Sequence, residues 1–268
     1  MATALYEETL YSESWSAKDL KRLTTMTQHG NYRISRSPDA GKVSVTVRLQ
    51  LPNLKKKESF QQETQISLQA IHGEVSLFQA ARKEIGMLFY DILIPDHFPL
   101  HLKTSDSDVL IENLKGNPLE ISHQSKLIQL KGVQSNEMTI RTANGTLLVE
   151  NSVGHLVAEG TGNMDIELWD GSLEAVCRKG TLTFRTKSVF EVRLVNQSGD
   201  IKLFLPKKAP YQFDLQASRS IFLELQQIKY KGLISRNKME GKNHDGNILL
   251  KANAQSGDVY LIGCIESV

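Results

Sequence analysis

The sequence predicts an all-β protein built as a single elongated parallel β-helix, or β-solenoid, with rungs of about 17–20 residues. Three observations carry this expectation. Apolar and polar residues alternate in short runs along most of the chain, as in Val43-Ser44-Val45-Thr46-Val47, Leu182-Thr183-Phe184 and Ile201-Lys202-Leu203-Phe204-Leu205, which is the period of half-buried strands. Helical periodicity is nearly absent. A turn recurs ahead of the strands, marked by Ser107, Ser125, Gly145, Gly162, Gly180, Gly199 and Arg219, in steps of 18, 20, 17, 18, 19 and 20 residues. Regular spacing of this kind without helices points to one rung per repeat.

From the N-terminus, residues 1–90 read as less regular rungs. Their turns "QHGNYRI" at Gly30 and "IHGEVSL" at Gly73 resemble the later ones. Ser16 with Asp19 can form a capping box ahead of Leu20 and Leu23. The stretch from Ser76 to Gly86 suits a short helix or a turn followed by a strand. Asn53 to Glu63 is charged and reads as a loop. Residues 91–225 hold the regular rungs. There, alternating strands stop at Pro95 and Pro206, a second proline follows at Pro99 and Pro210, and alternation resumes; proline cannot donate to a ladder and so marks strand ends or edges. Residues 226–246, with the charged run from Ser235 to Gly246, read as a loop excursion. Residues 247–268, containing "QSGDVYL", read as a terminal rung.

The corner residues follow from backbone geometry. Glycine accepts φ > 0 without steric cost, and Asn and Asp tolerate that region while bonding to their own backbone. Hence Asn144-Gly145, Gly162-Asn163, Gly199-Asp200 and Gly257-Asp258. The residues after each corner place Ile201, Leu203 and Leu205, or Val259 and Leu261, on one face. A single rung cannot bury that face, so neighbouring rungs must. Side chains of Leu147, Ile166, Leu182 and Ile201 are therefore expected side by side. Cys177 shares parity with Leu173 and Ala175 and is expected to point inward, inert.

Composition narrows the function classes. The 268 residues include 32 basic and 30 acidic side chains, a net charge of +2, with 40% apolar and 23% charged content. This is the profile of a globular protein without the basic face expected of a nucleic-acid binder. "NLKKKE" and "KYKG" are short basic loops. Cys177 and Cys264 lie far apart and match no metal-ligand spacing; free thiols in reducing surroundings are expected, a long-range disulfide being the alternative. The first residues carry three glutamates before position 15 and no apolar core, unlike a secretory signal, and no run of 18 apolar residues suggests a membrane span. A cytoplasmic location is expected, barring a non-classical export route.

Chemistry has few footholds. His97 and His101 are four apart, which on a strand puts them on one face, yet no third metal ligand stands nearby. Asp106 and Asp108 in "SDSD" suggest part of a calcium loop without its glycine and terminal glutamate. Asp165 and Glu167 near Trp169 form the best carboxylate pair for glycan chemistry; solvated strand residues explain them equally well. No nucleophile motif such as Gly-x-Ser-x-Gly is present. No catalytic, cofactor or metal residue is assigned, and no cofactor is expected.

The stretches Tyr90 to Gly116, Met138 to Gly154 and Phe190 to Pro206, with the closing "LLKANAQSGDVYLIG", resemble a bacterial β-strand-repeat family labelled "putative adhesin", a domain of unknown function. The resemblance covers roughly three quarters of the chain. It implies a parallel β-helix or solenoid and leaves association with the cell envelope open. The chain departs from the family in Ser107 and Ser125, which replace the corner glycine. It departs also in lacking the export signal or anchor that several members carry. The resemblance supplies no catalytic residues. The expected function is that of a non-enzymatic structural or interaction protein, binding an unknown protein or glycan partner along its solenoid face. The alternatives are a glycan-active β-helix enzyme and a scaffold that self-associates through its end rungs.

Overall fold

A computed structural model describes residues 5–52, 56–80, 86–188, 190–206, 209–224 and 230–264, apart from the side chains of Gln61, Glu63, Ser125, Trp169, Tyr230 and Cys264. The protein is all-β. In chain order its elements are β1 (Tyr6–Ser16), β2 (Arg22–Arg36), β3 (Lys42–Leu51), α1 (Lys57–Glu63), β4 (Gln65–Ile71), β5 (Glu74–Ala80), β6 (Met87–Ile94), β7 (Leu100–Glu112), β8 (Leu119–Lys131), β9 (Gln134–Gly160) and β10 (Met164–Cys177). They continue with β11 (Leu182–Thr186), β12 (Val192–Asn196), β13 (Ile201–Pro206), β14 (Tyr211–Ala217), β15 (Ile221–Glu224), β16 (Tyr230–Ile234), β17 (Lys238–Asn243), β18 (Ile248–Ala254) and β19 (Val259–Cys264). Contacts gather into two compact units, Met1–Ser135 and Asn136–Val268.

In the first unit, β1 runs antiparallel to β3, and β3 antiparallel to β6. β4 and β5 form an antiparallel hairpin. Strand β2 is the hub. Its first half lies parallel to β5, its second half parallel to β6, and its whole length parallel to β7, which in turn pairs with β8. β2 changes partner at Gly30. Inward parity shifts there too: Leu23, Thr25 and Thr27 are buried before the corner, Tyr32 and Ile34 after it. A one-residue shift would turn every later side chain outward, so the corner must absorb an odd step. β7 does the same between Thr104 and Ser107.

The corner of this unit is polar inside. Thr27 Oγ1 lies 2.6 Å from Tyr32 Oη and donates to Thr104 Oγ1 at 3.1 Å; Thr104 also meets the Ser107 hydroxyl. Ser107, standing where a corner glycine was expected, thus serves as a hydrogen-bond partner for Thr104 of its own strand.

In the second unit the chain alternates between two ladders. The first runs β9 (over 147–149), β10, β11, β13, β19, β15, all parallel. The second runs the later part of β9, β10, β12, β18, β14 in parallel, closed by the antiparallel β17 and β16. Leu147, Met164, Leu182 and Ile201 are successive register partners. Met164 therefore holds the place expected for Ile166, which sits one inward position along, between Val149 and Phe184.

The corners stack on one another. A Cβ on Gly162 would lie 1.9 Å from the Gly145 carbonyl oxygen, and one on Gly199 1.9 Å from that of Gly180. Both glycines are left-handed, at φ +113° and +137°. The Asx residues at these corners bond forward, to the next corner in the stack rather than to their own turn: Asn163 Oδ1 accepts from Thr181 N at 2.9 Å, Asp200 Oδ1 from Asp258 N at 3.0 Å, and Asp258 Oδ1 from Ser220 N at 2.9 Å.

Several local expectations are corrected. The capping box at Ser16 is absent: a single 3-10 turn spans Ala17–Asp19, and Ser16 makes no side-chain cap bond. β5 covers Ser76 to Ala80 as strand because it pairs on both edges; residues 81–85 lie outside the described residues. The 53–63 loop contains α1, anchored by buried Phe60. The 226–246 excursion contains the hairpin β16–β17, laid on the edge of β14. Its charges, such as Lys238 and Glu240, face outward while Met239 is buried. The C-terminal strands are not last in space: β18 lies between β12 and β14, and β19 between β13 and β15.

Replacing Gly199 by alanine is expected to lower unfolding free energy by roughly 2 kcal/mol or more, since both its φ and the Gly180 carbonyl oppose a side chain. Gly41→Ala, whose Cβ would meet only the Asp39 carboxylate at 3.4 Å, should stay within about 0.5 kcal/mol. Urea denaturation of the two variants measures the difference.

Candidate functional site

Period-two alternation places a row of large side chains on the outward face of the first ladder of the second unit. Two columns cross the strands in register. One runs Asp165, Thr183, Lys202, Tyr260, Phe222; the other Glu167, Arg185, Phe204, Ile262, Glu224. Arg185 pairs with the Asp165 carboxylate and holds its guanidinium 4.9 Å from the centre of the Phe204 ring. Phe222 stacks on Tyr260 with centroids 5.0 Å apart and planes 14° from parallel. Phe222 is 45% exposed. Partial desolvation, with Asp200 and Asp258 nearby, raises the Tyr260 phenol above its ordinary range, so it remains a neutral donor. Aromatic rings and arginine are the side chains most enriched at binding interfaces. Here the ladder holds them in fixed rows, so little side-chain freedom is left to lose on binding.

Asp165 and Glu167 thus fall on this face, but two residues apart on one strand, with Arg185 on the next strand. The Trp169 side chain lies outside the described residues. The structure does not bring His97 and His101 onto one strand face. His97 sits in the turn before β7 at φ 60°, its ring packed over Gly116. His101 lies within β7, its Nδ1 3.7 Å from Glu120 Oε2. Nearby Glu74 is held below the usual carboxylate range by hydrogen bonds from Arg22 and Thr24. Asp106 pairs with Lys126 at 3.4 Å, and Asp108 Oδ1 accepts from Leu127 N at 3.3 Å, so both serve the corner. Among the described residues no group of three or more His, Cys, Asp or Glu could hold a metal ion. Cys177 is buried, free, and bonded through Sγ to the Gly162 carbonyl at 3.3 Å; burial pushes its thiol up, as the inward parity requires. No helix among the described residues is long and apolar enough to cross a membrane.

Residues 22–261 match the model of a protein family described as Toastrack DUF4097. The chain belongs to the Toastrack DUF4097 family. A solved structure named a "putative adhesin" from Bacteroides fragilis NCTC 9343 is 14% identical, with 97% of each chain covered and a TM-score of 0.50, and shares the fold. A "putative cell adhesion protein" from Clostridium sporogenes ATCC 15579 is 10% identical over 97% of this chain and 100% of its own, with a TM-score of 0.31. No curated protein matches the chain.

The first unit of this Toastrack chain also holds a cleft of about 310 Å³ beside the Gly30 corner. Apolar Leu5, Leu51, Pro52 and Met87 line it together with Asn31, Gln50, Asp106 and Lys126. The sequence does not announce it, because its lining comes from six separate segments. The only advance signal is the likeness of the "QHGN" and "SDSD" corners, which stack here in register.

Close by, His123 is buried with Nε2 donating to the Ser107 carbonyl at 2.6 Å. Burial depresses its pKa below the ordinary value of 6.5, against the pull of Asp108 and Asp106. The folded protein therefore favours the neutral ring. Its contribution to stability is complete above that ordinary value and is lost as pH falls through it toward the depressed one. The urea midpoint of the native chain should exceed that of His123→Gln by more at about pH 7.5 than at about pH 5. Parallel midpoints across that range would assign the acid sensitivity to another group.

Proposed function

We propose that this Toastrack chain is a non-enzymatic interaction protein, and that it binds a partner or polymer along the outward face of rungs wound as a β-solenoid. The solenoid reading rests on the alternation of the chain between two parallel ladders, with register partners 17, 18 and 19 residues apart from Leu147 through Ile201. The observation that carries the binding role is the pair of outward columns, where Arg185, Phe204, Tyr260, Ile262 and Phe222 form an aromatic and apolar band beside Asp165, Glu167 and Lys202. A band of this composition gains from burial by a partner, and charges beside it favour one partner over another. The name "putative adhesin" on the Bacteroides fragilis structure accords with such a role.

A glycan-active enzyme would want two carboxylates on opposite sides of a bound sugar. Asp165 and Glu167 instead share a strand, and the Asp165 charge is met by Arg185, so the binding reading has the better support.

The test is capture of ligands by the immobilised protein, from native-cell extract and on a glycan array in parallel. Phe204→Ala and Phe222→Ala should each lower capture about tenfold or more, equivalent to about 1.4 kcal/mol, with the circular dichroism of the native fold. Unchanged capture by both variants would remove this face from the function. Cleavage of an array glycan that Asp165→Asn abolishes would replace binding with catalysis.

A further inference from the structure

β18 and β19 are each paired on both edges by strands that precede them. β18 pairs with β12 from Val192↔Leu250 to Asn196↔Ala254 on one side, and with β14 from Tyr211↔Ile248 to Ala217↔Ala254 on the other. β19 pairs with β13 and β15 in the same way. Leu250, Ala252, Ala254, Val259 and Leu261 are all buried. β12 and β14 share no register with each other, nor do β13 and β15. The chain up to residue 247 therefore leaves a slot one strand wide in each ladder, flanked by unpaired edges, which only the final segment fills.

The slot is selective. An occupant must run parallel to both neighbours, alternate in phase, and carry glycine at the corner, because a Cβ on Gly257 would lie 2.1 Å from the Gly199 carbonyl oxygen. The segment that meets these demands is 248–264 itself.

Its tether is short and wound tightly. β17 and β18 lie on opposite edges of β14, so the link between them hooks around the start of β14. Asn247 N and Ile248 N both donate to the Pro210 carbonyl, at 3.0 and 3.3 Å, and Asn243 Nδ2 donates to Ala209 O at 2.9 Å. His244, inside the hook, is held at φ 53°, a conformation that costs a non-glycine residue free energy. Short, strained hinges favour exchange of the element they tether.

We infer that β18–β19 is an exchangeable element, and that its alternative site is the same slot in a second copy of this chain, giving a reciprocally swapped dimer. Every ladder bond and buried side chain of the segment is reproduced in the exchanged state. The hook at His244 opens, and the two-fold arrangement closes on itself. This goes beyond the binding role proposed above and does not depend on it.

Arg193 and Lys251 are register partners across β12 and β18, and both side chains are exposed. Adjacent ladder partners are close enough for a disulfide. Arg193→Cys and Lys251→Cys chains, each also carrying Cys264→Ser, are mixed at high concentration in guanidinium just below the unfolding midpoint. They are then returned to buffer and oxidised. Exchange predicts a covalent dimer joining one chain of each kind through residues 193 and 251, in excess over the two like-with-like dimers together, and a dimer by light scattering of the unsubstituted protein after the same treatment. A double variant oxidised beforehand, which pins β18 to its own β12, should stay monomeric and dimerise after reduction. A mixed disulfide no more abundant than the like-with-like products, or a pinned chain that dimerises as readily as the free one, would overturn the proposal.

Discussion

The stacking of backbone on backbone at the corners is the contact on which the second unit depends. Gly162 lies against Gly145, Gly180 against Gly162, Gly199 against Gly180 and Gly257 against Gly199, each too close to admit a side chain. This contact sets the register. With the corners aligned, Leu147, Met164, Leu182, Ile201 and Val259 fall into one buried column and Val149, Ile166, Phe184, Leu203 and Leu261 into the next. A slip of one residue would present each outward charge to the core. The forward bonds from Asn163, Asp200 and Asp258 reinforce the same alignment by satisfying a neighbour's backbone N–H.

The first unit solves the same bend with side chains instead of bare backbone. Around Gly30 and Ser107 its interior is lined by Thr27, Tyr32, Thr104 and His123. A threonine or serine hydroxyl tolerates such a place only when it finds a hydrogen bond, and the Thr27–Tyr32 and Thr27–Thr104 contacts provide it. Burial of the His123 ring in this corner disfavours its charged form.

The two sides of the same strands differ in character. The inward side of β13 and β19 supplies the core. Their outward side supplies Phe204, Tyr260 and Ile262, held in rows by the ladder. β19 contributes Tyr260 and Ile262 to the outward band and Val259 and Leu261 to the core.

The sequence by itself determined the all-β class, the corner positions, the inward parity of Cys177 and the spacing of the parallel register partners from Leu147 to Ile201. Each is a local property, readable from alternation, turn residues or step length. The resemblance to a "putative adhesin" family was visible for the same reason, since it was carried by repeated stretches of the chain. Only the tertiary structure decided the neighbours. It put Met164 where Ile166 was expected and made strands of 230–234 and 238–243, whose outward charges hide a single buried methionine. It also placed 248–264 between segments that precede it. His97 and His101 parted, and Asp165 met Arg185, because side-chain company depends on register and turn conformation. The outward aromatic band has no signature along the chain: Phe204, Phe222 and Tyr260 come from three strands and become adjacent only when the ladder forms. Strand order is set by which edges remain open to be paired, and alternation is blind to that.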